Sequence, residues 1–235
     1  MLERSPVVAD TIRQFAVFRD LDDDIVGEIQ QQARTISLRP GEPLFRQSDP
    51  IQRSYFCVRG RVKLFRISPE GTEKIFHIAS DGDSLPDSVA LGSQRRFPLH
   101  CAAVVTSELI SVDSMLIIDL FNRFHAMRCN LTDVLVQRID HLLDHVEMLS
   151  ADKASLRVAS YLLSECRRHD GRTTFRLKAS KKHIASFLSL QPETLSRCLT
   201  AFRRDGLAET SGREIRLLDP DGLQNMVTGT RVASH

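Results

Sequence analysis

The sequence predicts an α+β protein with an N-terminal antiparallel β-roll, a long helix and a C-terminal winged helix-turn-helix. Three observations carry this prediction. Glycines divide the first half of the chain into short apolar segments, a long stretch without proline or glycine follows, and two short amphipathic helices meet at a turn near the C-terminus. We therefore expect three segments, at residues 1–114, 115–150 and 151–235.

The β-roll is predicted between Thr35 and Val112, where glycines stand at positions 41, 60, 71 and 82. The segments between them are rich in β-branched and aromatic residues, as is typical of strands. The predicted strands include SYFCV, RVKLFRI, EKIFHIA and ELISV, and SPEG at 68–71 has the proline and glycine of a turn. Helical patterns in IRQFAVF and DIVGEIQQQA precede the roll.

The stretch from Met115 to about Leu149 predicts one long helix with an apolar seam. Apolar residues recur there at alternating steps of four and three, which is the spacing of a coiled coil between two parallel helices. We therefore expect a homodimer; the alternative is a stripe that packs within its own subunit. The predicted interface residues are Leu135, Ile139, Leu142, Val146 and Leu149.

Residues 150–153 interrupt the helical pattern, and we place a hinge between domains there. Asp152 is the expected N-cap of the next helix. HDGR at 169–172 then predicts a turn and TTFRL a strand, and LAETSGREIRLL predicts a hairpin that turns at Ser211 and Gly212. Asp219 and Pro220 begin a final helix. The hairpin is the expected wing of a winged helix.

The stretch from His183 to Gly206 predicts two helices joined by a turn. An apolar stripe from Leu195 to Phe202 lies on one face of the second helix, while Glu193, Ser196 and Arg197 gather on another. These polar types can bond to base edges in a DNA major groove. From 178 to 204 six basic residues accompany one acid, a local charge of +5 in a chain of +2. Phosphate affinity comes from such clusters; the alternative is a solvated basic surface.

The composition is that of an ordinary globular protein, and 235 residues favour two domains. Because no apolar stretch is long enough for a bilayer helix, and MLERSPVVADTIRQF lacks the apolar core of a signal peptide, we expect a cytoplasmic protein that does not enter membranes. The sequence contains no nucleophile elbow, phosphate loop or paired-carboxylate motif, so we do not expect an enzyme.

Five scattered cysteines without a CxxC pair predict buried thiols and no metal site. His141 and His145 are four residues apart, a spacing at which two imidazoles can share a metal. The residue after His141 is not the glutamate of a zinc protease but Leu142, which belongs to the apolar seam. We therefore expect both histidines on a solvated flank of the helix.

These pieces in this order resemble the Crp/Fnr family of bacterial transcription regulators over nearly the whole chain. SPEGTEKIF and DGD in the roll carry the resemblance, and QPETLSR and GREIRLLD are most similar to the Dnr branch. The resemblance implies a cyclic-nucleotide-binding-type roll, a homodimer, and double-stranded DNA and RNA polymerase as partners. It also implies control of respiratory or nitrogen-oxide metabolism in response to nitric oxide, with activation and repression both open.

The recognition motif E-x-x-S-R of Fnr and Dnr relatives is matched by Glu193, Ser196 and Arg197. Cyclic-AMP-dependent relatives have arginine and glycine where this chain has Pro192 and Ser196. The resemblance therefore implies a TTGA-N6-TCAA palindrome, with Arg197 on guanine, Glu193 on the opposing cytosine and Ser196 on a thymine. Contacts to the DNA backbone are expected at Ser180, Lys181, Gln191, Thr194 and Arg203.

Family members that bind cyclic nucleotides have a Gly-Glu pair after GD and an Arg-Ser pair further on. This chain has Pro86 and Asp87 at the first place and Phe97 and Pro98 at the second, so we do not expect a cyclic nucleotide. An iron-sulfur cluster of the Fnr type needs thiolates near the N-terminus, and no cysteine precedes Cys57. The expected effector pocket comprises Pro86, Asp87, Arg95, Arg96 and His100.

Haem is the remaining precedent, because Dnr-type regulators are linked to haem-mediated sensing of nitric oxide. A single axial ligand suffices for haem, and the candidates are His77, His100 and Cys101; the alternative for each is a purely structural side chain. The identity of the effector stays open. A second functional hypothesis is a cyclic-nucleotide-binding or haem-binding sensor module whose winged helix makes protein contacts.

Overall fold

The computed structural model describes residues 9–85, 95–169, 171–177 and 179–228. The chain divides into two compact units, of which one ends at Asp140 and the other begins at His141. No helix in the described ranges is both long and apolar enough to cross a membrane. The helices are α1 Ala9–Arg13, α2 Asp23–Gln32, α3 Ser114–Arg123, α4 His125–Ser150, α5 Ala154–Arg168, α6 Lys181–Phe187, α7 Pro192–Arg204 and α8 Pro220–Thr228, with a 3-10 turn at Ala16–Phe18. The strands are β1 Arg34–Leu38, β2 Pro43–Phe45, β3 Arg53–Arg59, β4 Arg61–Ile67, β5 Glu73–Ser80, β6 Ser84–Leu85, β7 His100–Ala103, β8 Ser107–Asp113, β9 Thr174–Arg176, β10 Ala208–Ser211 and β11 Glu214–Leu217.

The N-terminal unit contains two antiparallel four-stranded sheets, in the orders β1-β8-β3-β6 and β2-β7-β4-β5. The prediction of a β-roll is confirmed, and the four predicted strands are β3, β4, β5 and β8. Val62, Cys101 and Leu109 lie fully buried in the apolar cluster of the roll. Between β3 and β4, Gly60 has φ +108°, and a Cβ atom there would lie 2.5 Å from Oγ of Ser107. Only glycine fits this crossing of two backbones.

A second apolar cluster joins the N-terminal helices to the roll. The rings of Phe15 and Phe18 lie 5.1 and 4.8 Å from that of Phe56 on β3. One face of α4 closes this cluster through Met127 and Leu131, which are both buried. The first turns of α4 are therefore held by this second cluster.

The prediction of a single long helix is wrong, because the structure has two helices, α3 and α4, separated at Phe124. Phe124 is extended, with φ −113° and ψ 123°. The guanidinium of Arg128 donates to the carbonyl oxygens of Phe121 and Asn122 at 3.1 and 3.0 Å. The side chain thus satisfies carbonyls at the end of α3, so the break costs little. Neither proline nor glycine marks it.

The C-terminal unit places α5 to α8 around a three-stranded sheet of order β10-β11-β9. The predicted wing hairpin is present, although its two turn residues are Gly212 and Arg213, one position later than predicted. The N-cap of α5 is Lys153 rather than Asp152, and it makes no side-chain capping bond. The final helix α8 begins at Pro220, as predicted, and Asp219 caps it, since its Oδ1 accepts from the Gly222 amide at 2.8 Å.

Candidate DNA-binding site

The turn between α6 and α7 fixes the position of the second helix. The Leu190 amide donates to the Ala185 carbonyl at 2.8 Å, and the Ser189 amide donates to the Ser186 carbonyl at 3.1 Å. This is the Schellman arrangement that ends a helix, and Ser189 occupies its left-handed position with φ 54°. Pro192 then begins α7, where a missing amide proton costs nothing.

The two faces predicted for α7 are confirmed. Leu195, Leu199 and Phe202 are buried, whereas Glu193, Ser196 and Arg197 are exposed. The side chains of these three polar residues form no hydrogen bond or ion pair with any other residue that the structure describes. They are therefore available to bond to a ligand without first breaking an internal contact.

The region around α7 combines a carboxylate at the start of the helix with exposed basic residues. Glu193 lies in the first turn, where a helix favours a carboxylate. Lys182 and Arg203 are exposed, and Arg204 forms an ion pair with Asp205 at 2.9 Å. That pair offsets part of the positive charge expected from the sequence. Lys178, which was counted in the predicted cluster, lies outside the described residues.

The residues predicted to contact the DNA backbone lie at the starts of the two helices, except for Arg203. Ser180 caps α6, because its hydroxyl accepts from the His183 amide at 3.4 Å. Lys181 is the first residue of α6 and is half-buried. Gln191 is the exposed N-cap of α7 and makes no side-chain capping bond, and Thr194 in the first turn is half-buried. Helix starts supply free amides that favour phosphate.

The predicted effector pocket is only partly described, because Pro86 and Asp87 lie outside the described residues. Arg96 donates to the Ser48 carbonyl at 2.7 Å, and Nη2 of Arg95 lies 3.1 Å from Sδ of Met115. Phe97 is buried and stacks on Phe45, with ring centroids 3.8 Å apart. An apolar stack thus occupies the place at which the resemblance puts the phosphate-binding arginine.

The three haem candidates differ in burial and in contacts. Cys101 is fully buried in the core of the roll, and burial raises the pKa of its thiol, which opposes the thiolate that iron binds. His100 stacks on Phe65 with ring centroids 5.3 Å apart, and its Nδ1 accepts from the Gln47 amide at 3.3 Å. His77 is half-buried on β5, opposite Leu64.

The cysteines agree only in part with the prediction of buried thiols. Cys57, Cys101 and Cys166 are buried and Cys198 is half-buried, but Cys129 on α4 is exposed. The prediction was wrong for Cys129, because it lies on the face of α4 opposite the buried Met127 and Leu131. Burial raises the pKa of Cys57 to about 12.

The prediction that both α4 histidines are solvated is wrong for one of them. His141 is exposed, but the ring of His145 stacks on that of Phe187 with centroids 4.1 Å apart and an interplanar angle of 9°. Its Nε2 also lies 3.1 Å from the carbonyl oxygen of Phe187. The His145 ring is therefore packed against α6.

An apolar stripe on α4 stays exposed in the single chain. Its members expose between 51% and 62% of their surface. Ile139, Leu142 and Val146 of the predicted seam belong to it. Leu135 instead packs partly against the second apolar cluster, which joins the N-terminal helices to the roll, and Leu149 is half-buried. The complete exposed set is Val136, Ile139, Leu142, Leu143 and Val146.

A β-roll, a helix with an exposed apolar stripe and a winged helix-turn-helix with an unengaged polar face define a DNA-binding transcription regulator. Residues 35–124 match the model of the cyclic nucleotide-binding domain, and residues 156–226 match that of the Crp-like helix-turn-helix domain. The chain belongs to the Crp/Fnr family of transcription regulators, and the relatives in that family are regulators, not enzymes.

Among its relatives, the transcriptional activator protein FnrA of Stutzerimonas stutzeri is 30% identical over 88% of this chain and 85% of its own. The fumarate and nitrate reduction regulatory protein of Escherichia coli K12 is 28% identical over 83% of this chain and 78% of its own. The structure resembles that of FixK2 from Bradyrhizobium japonicum, with a TM-score of 0.74 and 24% identity. The match covers 86% of this chain and 99% of FixK2. It also resembles that of DNR from Pseudomonas aeruginosa, with a TM-score of 0.52 and 26% identity over 95% of this chain and 99% of DNR. This likeness agrees with the resemblance to the Dnr branch.

Proposed function

We propose that this regulator binds, as a homodimer, a palindrome of the form TTGA-N6-TCAA. The observation that carries the proposal is the exposed set of Glu193, Ser196 and Arg197 on the first turns of α7, whose side chains form no hydrogen bond or ion pair with the described residues. Arg197 donates to guanine, Glu193 accepts from the opposing cytosine and Ser196 contacts a thymine. Ser180, Lys181, Gln191, Thr194 and Arg203 contact the backbone of the DNA.

The exposed apolar stripe of α4 supports the proposed homodimer, and a dimer suits a palindrome. A two-fold axis along α4 pairs each exposed stripe with its own copy, in the manner of a parallel coiled coil. Burying the stripe removes from water five large apolar side chains, each of which exposes more than half of its surface in the single chain. Each copy then presents one α7 to one half-site, and two half-sites lie about one DNA turn apart.

The same proposal covers the genes and the signal. Control of respiratory or nitrogen-oxide metabolism is supported by the name of the fumarate and nitrate reduction relative and by the likeness to DNR. An effector bound in the roll shifts the equilibrium between two dimer conformations, and RNA polymerase binds the DNA-bound form. A cyclic nucleotide is disfavoured as the effector, because Phe97 is stacked where the phosphate partner is required.

Sedimentation of the purified protein, followed by titration of fluorescent duplexes, tests the proposal. We expect a dimer that prefers TTGA-N6-TCAA to a scrambled duplex by at least about 1,000-fold, with affinity falling steeply as salt rises. A monomer, or equal affinity for both duplexes, contradicts the proposal. Lack of any DNA affinity favours the second hypothesis, in which the winged helix contacts protein.

A further inference from the structure

The exposed stripe of α4 extends toward the N-terminus beyond its apolar part. Alternating steps of three and four residues, counted from Val146 toward the N-terminus, give a continuous series on one face of the helix. The series is Val146, Leu143, Ile139, Val136, Thr132, Cys129 and His125. Every one of these side chains is exposed in the single chain. Because residues in this register meet their own copies across a parallel two-fold seam, Cys129 faces Cys129 of the second copy, and His125 faces His125.

The thiol and the imidazole are already close together. Sγ of Cys129 lies 3.4 Å from Nδ1 of His125 and 3.8 Å from its Nε2. A tetrahedral zinc ion holds a thiolate at about 2.3 Å and an imidazole nitrogen at about 2.0 Å, which separates the two ligand atoms by about 3.5 Å. The observed separations bracket that value, so one turn of α4 offers two ligands with the spacing that such an ion requires.

We propose that His125 and Cys129 of two copies together bind one divalent cation of the zinc type at the start of the α4 seam; this rests on the proposed dimer. One chain supplies only half of the site, and the described residues of a single chain contain no cluster of three or more metal-binding side chains. The second copy completes a Cys2His2 set, the usual donor set of a structural zinc site. The two thiolates balance the charge of the ion, so the site needs no further acid.

The chemistry of this donor set selects the cation. Thiolate and imidazole are softer donors than the carboxylate and carbonyl oxygens that suit magnesium or calcium. Cys57, Cys101 and Cys166 are buried away from solvent, so Cys129 differs from them in being open to an arriving ion. Ion binding ties the two copies at the start of the seam, and any binding specific to the dimer stabilises it.

The test uses the full-length protein, purified under reducing conditions and stripped of metal by a chelator. Zn²⁺ is titrated and counted by mass spectrometry, and Co²⁺ is used as a spectroscopic probe of geometry. We expect one ion per dimer, a Co²⁺ spectrum with thiolate charge-transfer bands and intense tetrahedral bands, and a dimer dissociation constant lowered at least about tenfold by Zn²⁺. Cys129→Ser and His125→Ala each weaken Co²⁺ binding by about 100-fold or more. Both residues are exposed, so these variants are expected to fold.

Two controls separate this site from other ligands. His141→Ala removes an exposed histidine on α4 that lies off the seam, and Cys198→Ser removes the remaining cysteine that is not buried; neither changes the ion count. Octahedral Co²⁺, an ion bound by the monomer, or unchanged binding by Cys129→Ser overturns the proposal. A dimer that binds the palindrome but holds no ion overturns the metal site and leaves the proposed function standing. A monomer without palindrome affinity overturns both.

Discussion

Arg197 provides the most direct test of base reading by α7. Arg197→Ala removes a side chain that is exposed and has no hydrogen bond or ion pair among the described residues. The free energy of unfolding is therefore expected to change by less than about 0.5 kcal/mol. A bidentate contact from arginine to guanine contributes about 1–3 kcal/mol of discrimination. A palindrome repeats the contact in both half-sites, so the total loss is about 2–6 kcal/mol, or about 30-fold to 20,000-fold in affinity.

Fluorescence anisotropy with two duplexes separates base reading from charge. One duplex contains TTGA-N6-TCAA, and the other has the G·C pair of each half-site replaced. The wild-type protein is expected to prefer the first duplex by the factor just derived, and Arg197→Ala to bind both about equally. Arg203→Ala is the matched control, because Arg203 is exposed on the same helix. It is expected to weaken both duplexes alike and to reduce the salt slope by about one per contact. A uniform loss of affinity in Arg197→Ala refutes the assignment.

Three further predictions concern the turn, the seam and the roll. Ser189→Val is expected to lower the free energy of unfolding by about 1–2 kcal/mol, because a β-branched residue is strained at φ 54°, while Ser189→Gly is expected to relieve that strain; urea unfolding checks both. Leu143→Lys is expected to raise the dissociation constant of the dimer more than about 100-fold, measured by sedimentation. The reason is that burial of Leu143 in the two copies contributes about 3–6 kcal/mol. Gln137→Lys, off the seam, serves as its control. Gly60→Ala is expected to cost about 2 kcal/mol or more in the same unfolding assay, because its Cβ meets Ser107, whereas Gly27→Ala inside α2, with open space around it, is expected to stabilise by about 1 kcal/mol.

The elements with strong local signals were predictable from the sequence. The faces of α7 follow from helical spacing, and β4 has the predicted bounds Arg61–Ile67, because alternating apolar residues and glycine-marked turns are read over a few residues. β6 was missed, since two residues carry no period. The break at Phe124 was also missed, because it depends on the guanidinium of Arg128 reaching the end of α3. Ser189 gave no signal either, because glycine is the usual residue at its left-handed position.

The candidate site shows the same division between local and long-range information. The readable motif of Glu193, Ser196 and Arg197 lies within five consecutive residues, and the structure exposes all three. The effector region depends on contacts between distant strands, such as the stack of Phe45 on Phe97, which no short window of sequence contains. His145 illustrates the same limit, since its partner Phe187 lies 42 residues further along the chain.

The register of the α4 seam required the structure because the sequence offers two. Apolar residues come in adjacent pairs, Leu135 with Val136 and Leu142 with Leu143, so a heptad drawn through the first member of each pair fits as well as one drawn through the second. Leu135 decides between them, because it packs partly against the apolar cluster that joins the N-terminal helices to the roll, while its neighbour Val136 stays more than half exposed. Leu142 and Leu143 are both more than half exposed and do not distinguish the registers. Continued toward the N-terminus, the first register meets Arg128, whose guanidinium is already engaged with α3, and the second meets the exposed Cys129. A seam that contains Cys129 thus follows from the partial burial of Leu135 beside the exposed Val136, and Co²⁺ binding at the start of α4 reports that choice of register directly.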